Sequence, residues 1–242
     1  MTKETKTSFR FFPFLTNTRP VGWMSTRSSV SEKIIELFNR DNLQNKFATA
    51  ILRDSIIPPK ELLECCEFFE RIRKTVKNDT MVDLCCGHGL LGILFAMFEK
   101  KVNKVILVDK TEPPSRKELF NTAKKLAPWI ENKICNLKEK IKPDAAWISE
   151  GTSIISAHAC GELTDLCIET AIIHKGNIAL LPCCYPKRNC PSPQILHKEF
   201  GLKAAWDIHR TYKLENSGYL VRWTNIPEEI TPMNRIITGK LR

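Results

Sequence analysis

No apolar run in these 242 residues approaches the roughly 20 needed to cross a bilayer. The longest, Leu90 to Phe98, is interrupted by Gly92 and ends at Glu99-Lys100-Lys101, so no membrane partner is expected. Internal repeats and low-complexity tracts are missing as well, which excludes solenoids and disordered arrays. Acidic residues are scarce: 27 against 37 Lys plus Arg, for a formal net charge of +10. That imbalance favours a polyanionic partner, and RNA is the natural candidate.

What is present fits one domain of catalytic size with a continuous core, at 43% hydrophobic content. Ten cysteines occur, six of them in the adjacent pairs Cys65-Cys66, Cys85-Cys86 and Cys183-Cys184. Neighbouring thiols are poor bridging geometry, and a chain of this size needs no staples. A reducing, intracellular setting is expected, cytoplasmic or mitochondrial.

Three regions divide the chain. Residues 1–28 are basic, with Lys3, Lys6, Arg10, Arg19 and Arg27 opposed by Glu4 among Phe, Ser and Thr. That composition suits a mitochondrial transit peptide and equally an untargeted flexible tail. Residues 29–79 read as a helical flank. Ser29-Val30-Ser31-Glu32 has the form of a capping box, with Val30, Ile34, Leu37 and Phe38 on one face, and a second helix begins near Asp41. Pro59 opens a third, in which Leu62, Leu63, Cys66, Phe69 and Ile72 repeat at close to 3.6 residues.

Residues 80–242 alternate short apolar runs with helical stretches. Strands are expected at Thr80 to Asp83, Lys104 to Asp109, Lys133 to Leu137, Ser153 to His158 and Asn177 to Leu181, with helices at Leu90 to Phe98 and near Ser115 to Leu126. Such alternation predicts an α/β fold with a mostly parallel sheet. The last two runs, Gly218 to Thr224 and Asn234 to Lys240, are joined by too few residues for a crossover helix, so they form an antiparallel hairpin.

Val82-Asp83-Leu84-Cys85-Cys86-Gly87-His88-Gly89-Leu90-Leu91-Gly92 contains G-x-G-x-x-G at a strand-to-helix turn, with Asp109 ending the next strand. A dinucleotide would set its pyrophosphate at that turn. Asp83 stands at the end of the first strand, however, and two like charges about 4 Å apart repel by about 4 kcal/mol at an effective dielectric of 20. S-adenosylmethionine suits the site better: its ammonium can pair with Asp83, and Asp109 can accept the ribose hydroxyls.

Asp83 to Gly89 resembles motif I, D-x-G-x-G-x-G, of class I S-adenosylmethionine-dependent methyltransferases, with Cys85 in place of the first glycine. His158-Ala159-Cys160-Gly161-Glu162-Leu163-Thr164-Asp165 and Pro182-Cys183-Cys184-Tyr185 are similar to a branch of that family that includes the eukaryotic 2′-O-methyltransferases of the tRNA acceptor stem. The resemblance implies a Rossmann-like, seven-stranded, mostly parallel sheet closed by a C-terminal antiparallel hairpin. It also implies a cofactor site at Asp83, Cys85, Gly87, His88, Gly89 and Asp109. The thiol of Cys85 is expected to demand an ordinary backbone conformation, unlike the glycine it replaces.

The fourth strand lacks the Asn/Asp-Pro-Pro-Tyr/Phe tetrapeptide with which many amino-group methylases hold a planar nitrogen. A hydroxyl acceptor is favoured, with His158 as its general base, since an imidazole accepts a proton near neutrality. A structural or cofactor-contacting histidine is the alternative. Pro182-Cys183 resembles the Pro-Cys of cytosine-C5 RNA methylases, but there the pair belongs to the fourth strand and here it follows the fifth. Cys160 and Cys183, with Lys187 and Arg188, are expected beside the substrate, and the basic run Arg71 to Lys77 is a further candidate for phosphates. Cys183, Cys184 and Cys190, with His158 or Cys160 from the neighbouring strand, form an alternative zinc set, but C-C-x5-C is not a standard structural-zinc spacing, so no metal is assigned and these thiols are read as packing.

Overall fold

The structure is a computed structural model that describes residues 7–17, 31–188 and 190–242. Seven helices are described: α1 (Glu32–Glu36), α2 (Leu43–Arg53), α3 (Pro59–Val76), α4 (Leu90–Phe98), α5 (Pro114–Leu126), α6 (Glu162–Ile173) and α7 (Gln194–Asn216). Seven strands, β1 (Thr80–Leu84), β2 (Lys104–Asp109), β3 (Ile134–Lys138), β4 (Ser153–Ala157), β5 (Ile178–Leu181), β6 (Tyr219–Asn225) and β7 (Arg235–Leu241), form one sheet in the order β3-β2-β1-β4-β5-β7-β6. Strands β1 to β5 run parallel, and β7 is antiparallel to both β5 and β6. This is the seven-stranded α/β architecture expected from the alternation, including its closing hairpin.

The order reverses beside β1. The chain steps outward through β2 and β3, then returns to place β4 on the other side of β1. Ligands in open α/β sheets sit outside the carboxyl ends of strands at such a reversal. The motifs ending β1, β4 and β5 are thereby gathered at one edge.

Buried apolar side chains cover both faces of the sheet. One cluster joins α2, α3 and α4, including Phe47, Leu63, Phe69 and Phe95. The helical flank over 29–79 is therefore continuous with the core under α4. The five residues anticipated on the buried face of α3 are all buried. Helix α2 starts where Asn42 Oδ1 accepts from the Asn45 N–H at 2.9 Å, satisfying an otherwise free donor. Helix α1 is a single short turn, and Ser31 at its N-cap makes no side-chain capping bond. Ser29 and Val30 of the expected capping box lie outside the described residues.

Two regions depart from expectation. Of the tail expected over 1–28, residues Thr7–Asn17 are packed into the core: Phe9, Phe11, Phe12 and Leu15 are buried. The physical reason is Glu67. Its carboxylate, fully buried in α3, accepts from the backbone N–H groups of Arg10 and Phe11 at 2.9 Å and pairs with Arg71. Arg71 also donates to Asn225 O at 2.6 Å and Ser8 O at 2.7 Å. Its charge is spent inside the fold, so it does not join Arg71 to Lys77 as a phosphate contact.

The second departure is the pair α6 and α7, which fill the intervals before β5 and β6 that had been assigned no helix; α7 is the longer. It is broken at Gly201, whose φ of 78° and ψ of 162° leave the helical region. Its C-terminal part carries the buried Trp206, Asp207 and Arg210 beneath the β4 and β5 loops.

Candidate active site

A cavity of about 410 Å³ lies outside the β1–β4 edge, within the usual range for small-molecule sites. Asp83, Cys85, Gly87 and His88 line it from the β1 side, His158 and Cys183 from the β4 and β5 loops, and Lys60, Glu61 and Glu64 from α3. Of the anticipated cofactor residues, Gly89 and Asp109 stand outside the lining.

The β1 turn is a tightly held piece of backbone. Asp109 Oδ2 accepts from the Gly87 N–H at 3.0 Å, while its Oδ1 accepts from Thr111 N at 3.0 Å. Arg116, buried on α5, donates to Gly87 O at 2.9 and 2.7 Å through two of its nitrogens. With the peptide before Gly87 held through its N–H and the peptide after it through its carbonyl, the turn cannot drift and is preorganised. A Cβ placed on Gly87 would meet nothing within 4 Å, which leaves open space over the turn. Gly89 serves packing instead: a Cβ there would come within 2.7 Å of Leu107 Cδ1.

Cys85 corrects one expectation. It does not take an ordinary backbone conformation: its φ is +55°, the left-handed region of the glycine it replaces. The strand-to-helix turn fixes the path of the chain, and the side chain tolerates it at a cost of about 1 kcal/mol. Burial, with Asp109 and Asp83 nearby, pushes its thiol up to about 12.

Asp83 is 1% exposed. Its Oδ2 accepts from Gly92 N at 3.0 Å, whereas Oδ1 is buried and has no hydrogen-bond partner among the described residues. Burial pushes its carboxyl up to about 7, against the lowering effects of the Gly92 N–H and Arg116. A buried carboxylate oxygen without a donor is costly. A cation delivered by a ligand would relieve that cost, and an ammonium is the group S-adenosylmethionine offers. The orphaned oxygen and the open space over Gly87 fit that cofactor.

The α3 wall was not anticipated. Glu64 is buried with its Oε2 3.1 Å from His158 Nε2, a close approach outside hydrogen-bond geometry. Glu61 Oε2 lies 3.2 Å from His88 Nε2, and hydrogen bonding to that imidazole lowers the Glu61 carboxyl. The other nitrogen of His88 lies 2.5 Å from Ser115 Oγ. Glu61, Glu64 and Glu67 fall off the stripe of Leu62, Leu63, Cys66, Phe69 and Ile72 and read as the solvated side of α3, yet Glu64 and Glu67 are buried. Buried acids in such a place need partners.

His158 has a φ of +66°, directly after β4. A bulky residue held in the left-handed region is a strained one, and such strain collects at functional sites. The loop behind it explains the rest of the H-x-C-G-x-x-T-D motif. Gly161 has φ 59° and ψ −124°, a conformation open to glycine. Thr164 Oγ1 donates to Ala159 O at 2.5 Å. Asp165 accepts from Arg210 at 3.1 and 3.0 Å, and Arg210 also donates to Gly161 O at 3.0 Å. The β5 loop is tied to the same helix, for Trp206 Nε1 donates to Pro186 O at 3.0 Å and Tyr185 OH to Asp207 Oδ2 at 3.1 Å.

Cys160 stands 3.2 Å from Cys183, sulfur to sulfur, across the two loops. Burial and the neighbouring Cys160 push the Cys183 thiol well up. Lys187 and Arg188 are exposed and outside the cavity lining. Among the described residues no helix is long and apolar enough to cross a membrane.

A family model described as a methyltransferase domain matches residues 60–190, more than half of the chain. The chain is 23% identical to a glutathione S-transferase C-terminal domain-containing protein of Xenopus laevis over 199 residues, covering 67% of this chain and 31% of that protein. The Drosophila melanogaster homologue is also 23% identical, over 78% of this chain and 38% of its own length. The chain thus spans about a third of the length of the curated relatives it matches. Among solved structures, it is similar to the Bacillus subtilis M1A22 tRNA methyltransferase TrmK, with a TM-score of 0.49, 15% identity, and coverage of 72% of this chain and 65% of that one. An Aquifex aeolicus S-adenosylmethionine-dependent methyltransferase gives a TM-score of 0.45 and 16% identity, covering 71% and 88%.

Proposed function

We propose that this chain, which belongs to the methyltransferase-domain family and takes S-adenosylmethionine as cofactor, methylates a hydroxyl of RNA, with a tRNA ribose preferred. The observation that carries the reading is one cavity holding both an unpartnered carboxylate oxygen, Asp83 Oδ1, and an imidazole, His158, set beside a buried acid. The cofactor supplies a methyl group activated by its sulfonium. The chain's task is then to hold the acceptor in line and remove a proton.

Asp83 would hold the ammonium, the clamped Gly87 turn would seat the amino-acid moiety, and Asp109 would stand at the ribose. Glu64 beside His158 Nε2 favours the tautomer protonated at that nitrogen and leaves Nδ1 as the proton acceptor. The cytosine-C5 route is disfavoured because Cys183 follows β5 rather than the fourth strand.

RNA is supported by the net charge of +10 and by a polar cleft of about 590 Å³ lined by Arg10, Trp223 and Arg235. The Arg235 guanidinium lies 4.5 Å over the exposed Trp223 ring. Ile237 of β7 pairs with Leu180 of β5, so Arg235 falls at the same sheet edge as the cavity. Arg235 also pairs with Asp207 at 3.0 Å through one nitrogen, and with Arg10 it sets positive charge beside an aromatic face, an arrangement that suits an unstacked nucleotide and its phosphate. The test is transfer of labelled methyl from S-adenosylmethionine to cellular RNA, protein and small-molecule fractions, followed by nucleoside mass spectrometry. Label in 2′-O-methyl nucleosides is expected; label confined to protein or small molecules would overturn the substrate assignment.

A further inference from the structure

Cys160, Cys183 and Cys184 come together although they leave different strands. Cys160 follows β4, and the Cys183-Cys184 pair follows β5. Their sulfurs all lie within 4.8 Å of one another, with 3.2 Å between Cys160 and Cys183 and 3.6 Å between Cys183 and Cys184. They form the one group of potential metal ligands of this kind among the described residues. Cys190, the residue the sequence spacing would have recruited, is not in it; its sulfur lies 3.2 Å from Ser192 Oγ.

We propose that Cys160, Cys183 and Cys184 form a tris-thiolate zinc site at the rim of the cavity, with the fourth coordination position left to water or a ligand atom. Zinc–sulfur bonds of about 2.3 Å in a tetrahedron place the sulfurs about 3.8 Å apart. Cys183 stands 3.2 Å from Cys160 and 3.6 Å from Cys184, with all three sulfurs within 4.8 Å, so adjustments within about 1 Å, which side-chain rotation supplies, reach that geometry. Thiolates are soft donors that select zinc over magnesium or calcium, and no carboxylate belongs to the group. Three protein ligands with an open position is the pattern of reactive rather than purely structural zinc sites.

The surroundings favour a metal over the other roles open to three thiols. As packing, they are badly placed, because Cys160 and Cys184 are exposed. As a disulfide, Cys160 and Cys183 would leave Cys184 unused, and adjacent cysteines bridge each other poorly. The loops that present them are fixed from behind by Arg210, Trp206 and Asp207 of α7. Ligands on preorganised loops lose little freedom when an ion binds. Since Cys183 also lines the cavity, the ion would sit next to the acceptor side of the pocket.

The site stands whether or not the chain methylates RNA, because its test reads metal content. Full-length protein, purified under reducing conditions without a histidine tag, is analysed for metals and then titrated with cobalt(II). One zinc ion per chain is expected, replaced by a cobalt species showing intense sulfur-to-metal charge transfer. Cys160→Ser and Cys184→Ser should each lower zinc occupancy at least about tenfold under competition with a chelator, while Cys135→Ser, at an exposed thiol on β3, leaves it unchanged. Circular dichroism of each variant separates loss of ligand from loss of fold. Absence of stoichiometric zinc after reconstitution, retention of zinc by both ligand variants, copper in its place, or a Cys160–Cys183 disulfide in metal-free protein would each overturn the proposal.

Discussion

The two sides of the cavity are built differently. On the β1 side, the ligand surface is backbone: a turn bent through left-handed Cys85 and Gly87, its peptides before and after Gly87 held by Asp109 and Arg116. On the β4–β5 side it is side chains, His158 and Cys183, with Cys160 beside them outside the lining, and their positions depend on α3 and α7. A backbone cradle is specified by a few residues adjacent in sequence. A side-chain wall needs elements far apart in the chain to arrive first. The cradle should therefore resist distant substitutions, and the wall should not.

The largest expected effect strikes the wall. His158→Ala is expected to lower kcat by about 10²- to 10⁴-fold, the usual contribution of a general base. Affinity for S-adenosylhomocysteine, measured by calorimetry, should stay within about twofold, because the cradle is untouched. Glu64→Gln keeps the imidazole and should cost less. Equal loss of turnover and cofactor affinity in His158→Ala would place the imidazole on the cofactor and blur the two sides into one.

Next in size is Arg210→Ala. Its guanidinium is fully buried between Asp165 and Asp207 and also holds Gly161 O. Removing it strips Asp165 and Gly161 O of their buried donor, while Asp207 keeps Arg235 at 3.0 Å, so the loss should fall near the lower end of about 3 to 5 kcal/mol. Urea unfolding should register that loss. A change under about 1 kcal/mol would mean that the β4 loop does not depend on α7, and the contrast between the sides would weaken.

Those two variants also mark where legibility in the sequence stops. Strand positions, the parallel order and the closing hairpin follow from runs whose period is visible within a few residues, and Lys104–Asp109 matches its strand to the residue. Asp83, Gly87 and Asp109 were legible because the turn they build is local or separated by one crossover. Glu64 was not, because a carboxylate on an amphipathic helix reads as surface until the β4 edge is packed against it. Arg210 and the packed Phe9–Leu15 segment were hidden for the same reason: their partners are respectively on α6 and α3. The basic composition of the N-terminus pointed to a tail, while its four buried apolar side chains are too few to show a period.

Asp83 probes the cradle directly. Asp83→Asn removes the charge and keeps the Gly92 contact within reach, so cofactor affinity should fall by about 1.5 to 3 kcal/mol, the range of a charged hydrogen bond. In the native protein the carboxyl, pushed up to about 7, must ionise before it can pair with an ammonium. Affinity should therefore decline about tenfold per unit as pH falls below about 7. It should decline again above about 8, where the ligand's own amino group loses its proton. Asp83→Asn should lose the acid limb and keep the alkaline one. Calorimetric titration across pH checks both limbs, and an unchanged acid limb in the variant would remove Asp83 from the ammonium site.

The smallest effect expected is at Cys85, and it sharpens the comparison most because it separates backbone from side chain at a single residue. In the left-handed region a Cβ costs about 1 kcal/mol that glycine avoids. Glycine in turn makes the unfolded chain more flexible, which returns about 0.5 to 1 kcal/mol of that gain. The thiol also packs against the apolar cluster that contains Val82, Leu84 and Ile154. Cys85→Ala keeps the strained φ and removes the sulfur, so it reports the packing alone. Cys85→Gly then differs from Cys85→Ala by the backbone terms. If the turn dictates the conformation, Cys85→Gly should be at least as stable as Cys85→Ala by thermal unfolding, and cofactor affinity should hold within about twofold in both. A glycine variant clearly less stable than the alanine one would mean that the left-handed turn is not imposed by its clamps, and the cradle would lose its claim to be set by backbone.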